Sequence, residues 1–156
     1  MSEKPDYIIY TDGGARGNPG PAGAGVFITD SSGKVLREIA RPLGRQTNNF
    51  AEYSAVVIGF EEMKKLVPKS QRKNTHLEFR MDSELIQRQL SNKYQIKEET
   101  LFPLFVKVHN FIVSEFPKVT FTHIRREKNK NADRLSNIAM DEAERGKIKQ
   151  SALLSD

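Results

Sequence analysis

The apolar residues of this chain change period partway along it, and that change restricts the folds available more than any other feature. Up to about residue 40 they come in strand-length runs: residues 7–12, residues 23–29, and a third from about Lys34 to Ala40 after the turn signal Asp30 Ser31 Ser32 Gly33. Three strands joined by short connections form an antiparallel meander. From about Asn48 to Val67 the period becomes helical: Tyr53, Val56 or Val57, Phe60, Met63 and Val67 recur on one face, Thr47 or Asn48 stands where a cap is needed, and Pro68 helps to end the run. His76 to Asp82 alternates again, with Leu77, Phe79 and Met81 on one side. A short helix is expected over 83–90 with Leu85, Ile86 and Leu90 inward. Leu101, Leu104, Phe105, Val108, Phe111 and Ile112 give the clearest helical stripe, ending before Pro117. Val119 to Ile124 reads as a fifth strand, and Ala132, Leu135, Ala139 and Ala143 mark a last helix from Asn129 onward, beyond which the tail after Gly146 is expected to be flexible.

The order is therefore β, β, β, α, β, α, α, β, α. Right-handed helical crossovers place strands four and five parallel to strand one. The expected class is α/β, with a five-stranded mixed sheet of three antiparallel strands then two parallel ones, flanked by helices. At 156 residues and 17.7 kDa the chain suits one domain, 1–156, with its core over about 7–145.

Composition excludes some chemistry. With no cysteine there is no disulfide, thiolate ligand or cysteine nucleophile. No apolar run approaches the roughly 20 residues that cross a bilayer, and the opening Met1 Ser2 Glu3 Lys4 Pro5 Asp6 lacks the basic-then-apolar order of a secretory signal, so a cytoplasmic monomer without membrane partners is expected. A net charge of +5 and a pI near 9.5 favour a polyanionic partner. The charge is clustered, in Lys64 Lys65, Lys69, Arg72 Lys73 and again in Arg125 Arg126, Lys128, Lys130. Each cluster reads either as solvated surface or as a phosphate contact.

Four acids stand at element ends in four separate segments. Asp12 closes the run Tyr7 to Thr11 and is followed by Gly13 Gly14 Ala15 Arg16 Gly17 Asn18 Pro19 Gly20, where the strand is expected to stop; Asp82 ends the alternating segment; Glu52 and Asp133 lie near the starts of helices. Acids at the ends of parallel strands one and four can face each other. Two carboxylates about 4 Å apart repel by roughly 4 kcal/mol at an effective dielectric of 20, so such a cluster calls for a cation, and hard divalent ions take oxygen ligands of this kind.

These segments resemble, in order, the four motifs of the type 1 ribonuclease H family. Tyr10 Thr11 Asp12 Gly13 Gly14 with Gly17 Asn18 Pro19 Gly20 Pro21 Ala22 Gly23 is similar to the first, Thr47 Asn48 Asn49 Phe50 Ala51 Glu52 Tyr53 to the second, Asp82 Ser83 to the third, and Asn131 Ala132 Asp133 Arg134 Leu135 to the fourth, over about residues 7–145. The resemblance implies the ribonuclease H-like fold and an endoribonuclease that cuts the RNA strand of an RNA/DNA hybrid, leaving 3′-hydroxyl and 5′-phosphate ends. It implies two Mg2+ ions, with Mn2+ as a substitute, held by Asp12, Glu52, Asp82 and Asp133. It further places Asn18, Asn48 and Asn49 against 2′-hydroxyls and base edges of the RNA, Thr47 with Asn18 on a DNA phosphate, and Gly13 and Gly14 where backbone approaches the site closely. Read from the residues alone, Asn18 Pro19 Gly20 is a turn and Thr47 a helix cap.

Two departures qualify the resemblance. The loop Arg125 to Ala132 lacks the histidine that many members carry there, and His123 Ile124 Arg125 Arg126 Glu127 Lys128 Asn129 resembles a histidine-lacking branch among archaeal and some bacterial members, in which Arg126 would contact phosphate. His123 itself, on the fifth strand, reads as a packed or hydrogen-bonded residue. Gln89 to Thr100 is too short for the extra basic helix with which many members grip the hybrid. The alternatives are another nuclease of the same fold, such as a junction resolvase or an exonuclease, and a noncatalytic nucleic-acid binding module. Double-stranded RNA is a possible second substrate.

Overall fold

The computed structural model describes residues 4–154, with side chains as far as residue 146. Strands β1 (Tyr7–Ala15), β2 (Gly20–Asp30) and β3 (Val35–Gln46) form the meander, followed by α1 (Asn48–Leu66), β4 (Leu77–Met81), α2 (Glu84–Leu90), α3 (Phe102–Ser114), β5 (Val119–His123) and α4 (Lys130–Leu154). The sheet order is β3-β2-β1-β4-β5. β1 is antiparallel to β2 and β2 to β3, while β4 is parallel to both β1 and β5, giving the expected five-stranded mixed sheet. Among the described residues no helix is long and apolar enough to cross a membrane.

The helices cover the sheet from two directions. Helix α1 is buried on several sides, from Ala51 and Tyr53 through Phe60 to Met63, because it lies between the sheet and α3. Phe60 is its anchor: the ring sits 4.6 Å from Phe79 of β4, 5.2 Å from Phe111 of α3 in a stacked arrangement, and 6.5 Å from Phe121 of β5. Fully burying one such ring contributes roughly 1.5–3 kcal/mol, which makes this aromatic cluster the main tie between helix and sheet. Helix α4 packs on β2, β3 and β1. It comes so close that a Cβ at Gly25 would lie 2.2 Å from the Ala132 carbonyl oxygen, and one at Gly23 would lie 2.5 Å from the Ala139 Cβ.

That close packing explains where the sequence reading was wrong about β1. The strand does not stop at Asp12; Gly13, Gly14 and Ala15 continue to pair with Ala24, Gly23 and Ala22. Glycine weakens an isolated strand, but here two facing small-residue segments complete the ladder because helices fill the space their side chains leave. β2 and β3 are likewise longer than expected. Leu85 is a second correction: it is 42% exposed, and α2 instead buries Ile86, Gln89 and Leu90, the i, i+3, i+4 face. In α3, Val108 is buried and Leu104, Phe105, Phe111 and Ile112 pack partly buried against the core. The backbone is helical past Gly146 as far as Leu154, and the side chains of the tail, where flexibility was expected, lie outside those described.

Candidate active site

Strand register brings the first two acids together. Thr11 pairs with Met81 at the end of the parallel β1–β4 ladder, so the residues that follow, Asp12 within β1 and Asp82 just past β4, come side by side. Glu52 arrives from the start of α1. A Cβ at Gly13 would lie 2.3 Å from the backbone of Ala51, so only glycine lets the first turn of α1 rest on β1 and hold Glu52 over Asp12. Gly13 thus serves helix packing and also lines the cleft beside Gly14, where a Cβ would lie 3.4 Å from the Met140 methyl.

One ligand oxygen from each of Asp12, Glu52 and Asp82 can be chosen such that all lie within 4.8 Å of one another. Asp133 lines the same cleft from the first turn of α4, together with Asn48, Ser83, Arg126, Ser136 and Asn137, but stands outside that tight group. Burial and the charge of Asp82 push the Asp12 carboxyl up to about 7, against a smaller downward pull from the Ser136 hydroxyl. Glu52 is raised well above the usual carboxylate range by burial and by Asp12 and Asp82, while Arg126 opposes the shift. Three converging hard-oxygen donors, two of them resisting ionisation because no neighbour neutralises them fully, are a set that fits a divalent cation.

Two residues not singled out from sequence hold this cluster in place. Asn129 is buried, and its side-chain amide donates to the Thr11 carbonyl at 2.9 Å and to Asp82 Oδ2 at 3.0 Å. Ser136 is also buried and donates to Asp12 Oδ2 at 2.9 Å, with the same hydroxyl 2.9 Å from the Asp133 carbonyl oxygen. They flank Asp133, Asn129 just ahead of α4 and Ser136 in its second turn. Their spacing to that acid is visible in the sequence, but their partners, within β1 and just past β4, are more than 40 residues away.

Of the polar residues of the second segment, Asn48 lines the cleft and Thr47 and Asn49 stand next to it in the chain. Thr47 caps α1, its Oγ1 accepting from the Phe50 amide at 3.2 Å. Asn48 Oδ1 accepts from the Ala15 amide at 2.8 Å, and Asn18 Oδ1 accepts from the Asn48 amide at 3.0 Å. The turn-and-cap reading and the binding reading are therefore compatible: backbone groups use one end of each side chain and leave the other outward. Asn49 donates to Glu98 at 2.6 Å. Arg126, exposed in the 3-10 turn Arg126–Lys128, lines the cleft.

His123 differs from its expected surroundings. Met81 pairs with His123 across β4 and β5, so the ring stands beside Asp82, with Nε2 3.2 Å from the Asp82 carbonyl oxygen; it is hydrogen-bonded as expected but exposed, because it is the last residue of an edge strand.

The family profile described as reverse transcriptase-like matches residues 10–139. Bifunctional protein Rv2228c of Mycobacterium tuberculosis is 38% identical over 137 residues, covering 87% of this chain and 36% of that protein, so the chain spans about a third of that relative's length. Ribonuclease HI of Halobacterium salinarum is 33% identical over 134 residues, covering 86% of this chain and 64% of that protein. Among solved structures, LC11-RNase H1, isolated from compost by a metagenomic approach, superposes with a TM-score of 0.83 at 47% identity, covering 90% of this chain and 99% of that one. The same protein in complex with an RNA/DNA hybrid gives a TM-score of 0.80 at 48% identity, over 88% of this chain and 98% of that one.

Proposed function

The chain belongs to the type 1 ribonuclease H family, and from that premise we propose that it acts as a monomeric endoribonuclease domain that hydrolyses the RNA strand of RNA/DNA hybrids. The observation that carries this reading is the meeting of Asp12, Glu52 and Asp82 at one cleft that Asn48 also lines, with Asn18 bonded to the Asn48 amide beside it. A hybrid-bound relative at 48% identity supports the substrate class.

In this reading Asp12, Glu52 and Asp82, joined by Asp133 on α4, hold two Mg2+ ions, for which Mn2+ can substitute. Bound divalent ions would supply Lewis acidity that makes a water nucleophilic near neutral pH and offset charge on the scissile phosphate, giving 3′-hydroxyl and 5′-phosphate ends. Asn129 and Ser136 keep the Asp82 and Asp12 carboxylates aimed into the cleft. Arg126 contacts a phosphate oxygen through a charge-assisted hydrogen bond. Asn18, Asn48 and Asn49 meet the RNA strand, and Thr47 with Asn18 meets a phosphate of the DNA strand. Gly14 keeps the cleft wall low.

The test is a strand-labelled panel of RNA/DNA hybrid, double-stranded RNA, double-stranded DNA and a four-way junction, each with magnesium, manganese or chelator. Cutting of the RNA strand of the hybrid that stops in chelator is expected. Cutting confined to the junction or to DNA would favour another nuclease of this fold, and double-stranded RNA cutting would widen the substrate class. No cutting of any member would leave a noncatalytic binding module.

A further inference from the structure

Asn48, which lines the cleft, and its neighbours Asn18 and Asn49 do not present the same chemistry outward, and an exposed acid on another element is the reason. A side-chain amide has one acceptor end and one donor end, and what holds one end decides which is left over. Asn18 and Asn48 each spend their oxygen on a backbone N–H, at 3.0 and 2.8 Å, so both turn an NH2 group outward. Asn49 is reversed. Its partner is the carboxylate of Glu98, which only accepts, so the Asn49 NH2 group must face Glu98 at 2.6 Å and Oδ1 is left for a partner that donates.

Glu98 is solvent-exposed, yet its backbone is tied down. It is the first residue ahead of a 3-10 turn, with its carbonyl accepting from the Leu101 amide at 3.0 Å. The loop before it is fastened to the core by Gln89, which accepts from the buried Tyr53 hydroxyl at 2.7 Å and donates to the Gln95 carbonyl at 3.3 Å. An acid fixed beside a nucleic-acid site repels phosphate, so its placement calls for another explanation. The hybrid supplies one. Minor-groove base edges are mostly acceptors, which suits the outward donors of Asn18 and Asn48, whereas the 2′-hydroxyl of RNA carries a hydrogen that DNA lacks.

We propose that Glu98 is a positioning residue that locks Asn49 as a hydrogen-bond acceptor for 2′-hydroxyls, and so sharpens the choice of RNA over DNA. This inference rests on the hybrid-binding reading above. It is tested by equilibrium binding in an Asp12→Asn background, comparing an RNA/DNA hybrid, the same hybrid with a 2′-fluoro strand, the same hybrid with inosine for guanosine, and DNA duplex. Removing the 2′ hydrogen should weaken binding of the parent protein by about fivefold, the worth of one neutral hydrogen bond. Glu98→Ala should shrink that penalty to under about twofold, because the released amide can turn over, and it should do so without lowering the melting temperature. In an Asn49→Ala background Glu98→Ala should leave the penalty unchanged. A penalty equal in the parent and in Glu98→Ala overturns the proposal, as does sensitivity to inosine in place of 2′-fluoro. A parent protein that binds hybrid no better than DNA duplex defeats the hybrid reading itself, an outcome distinct from either.

Discussion

At the scale of single residues the site is unfavourable to its own acids. Asp12 is buried and its carboxyl is raised from 3.8 to about 7, so the folded protein holds a proton there that the unfolded chain has released across that interval. Stability from this group is fully present below pH 3.8 and is lost as pH rises through 7; at about 1.4 kcal/mol per unit the loss is on the order of 4 kcal/mol. Asp12→Asn should therefore melt higher than the parent protein at pH 8 in chelator, with the difference vanishing near pH 4 and narrowing when Mg2+ is added. Calorimetry across that range checks it, and the same variant should lose nearly all turnover. His123 and Arg126 separate in a different way. Because the imidazole is exposed, His123→Ala should change stability by less than about 0.5 kcal/mol. Arg126→Ala should reduce kcat/KM by about 10- to 100-fold with an unchanged melting temperature, the range expected on losing a hydrogen bond to a charged group. A pH-rate profile that loses a limb in His123→Ala while Arg126→Ala stays active would reverse the two roles.

At the scale of elements the acids depend on contacts between backbones. Gly13 permits α1 to touch β1, and Gly25 permits α4 to touch β2, beside the residues that carry Glu52 and Asp133. A methyl group at either position meets backbone atoms at 2.3 and 2.2 Å, which no side-chain rotation relieves. Gly13→Ala and Gly25→Ala should each cost about 3 kcal/mol or more, at or above the upper end of ordinary overpacking. Activity should fall further than stability alone accounts for, since Gly13→Ala displaces Glu52 and Gly25→Ala displaces the first turns of α4. Denaturant unfolding with parallel rate measurements on the folded fraction distinguishes the two effects.

At the scale of the molecule the position of charge matters more than its sum. The lysines and arginines near the end of α1 lie far from the cleft: Lys64 stands twelve residues beyond Glu52, about 18 Å along the helix. They also have partners of their own. Arg72 donates to the Val67 and Lys64 carbonyls at the C-terminal end of α1 and pairs with Glu115 at 3.0 Å, while Lys65 meets Glu62 at 3.2 Å. That cluster finishes a helix, and replacing Lys64 and Lys65 together should leave the salt dependence of hybrid binding unchanged. Replacing Arg126, which lines the cleft, should make the slope of log affinity against log salt shallower by about 0.9 for each phosphate that is no longer neutralised.

Local pattern along the chain was enough for the strand and helix order, because periods of 2 and 3.6 are set by side-chain direction within a few residues, and it was enough to put Asp82 just past a strand end, though not to show that β1 runs on beyond Asp12. The resemblance of four ordered motifs supplied the family. What the chain could not disclose locally were relations between distant segments: that Asn129 reaches back 118 residues to Thr11, that Ser136 reaches 124 residues to Asp12, and that Glu98 turns the amide of Asn49. Nor did a run of glycines after Asp12 reveal a continued strand, since the helix that needs the space starts more than 30 residues later. Sequence determined which elements form; the parallel register of β1 with β4, and helices packed to backbone contact, decided which polar atoms meet, because a hydrogen bond is satisfied only when folding brings its two groups to about 3 Å.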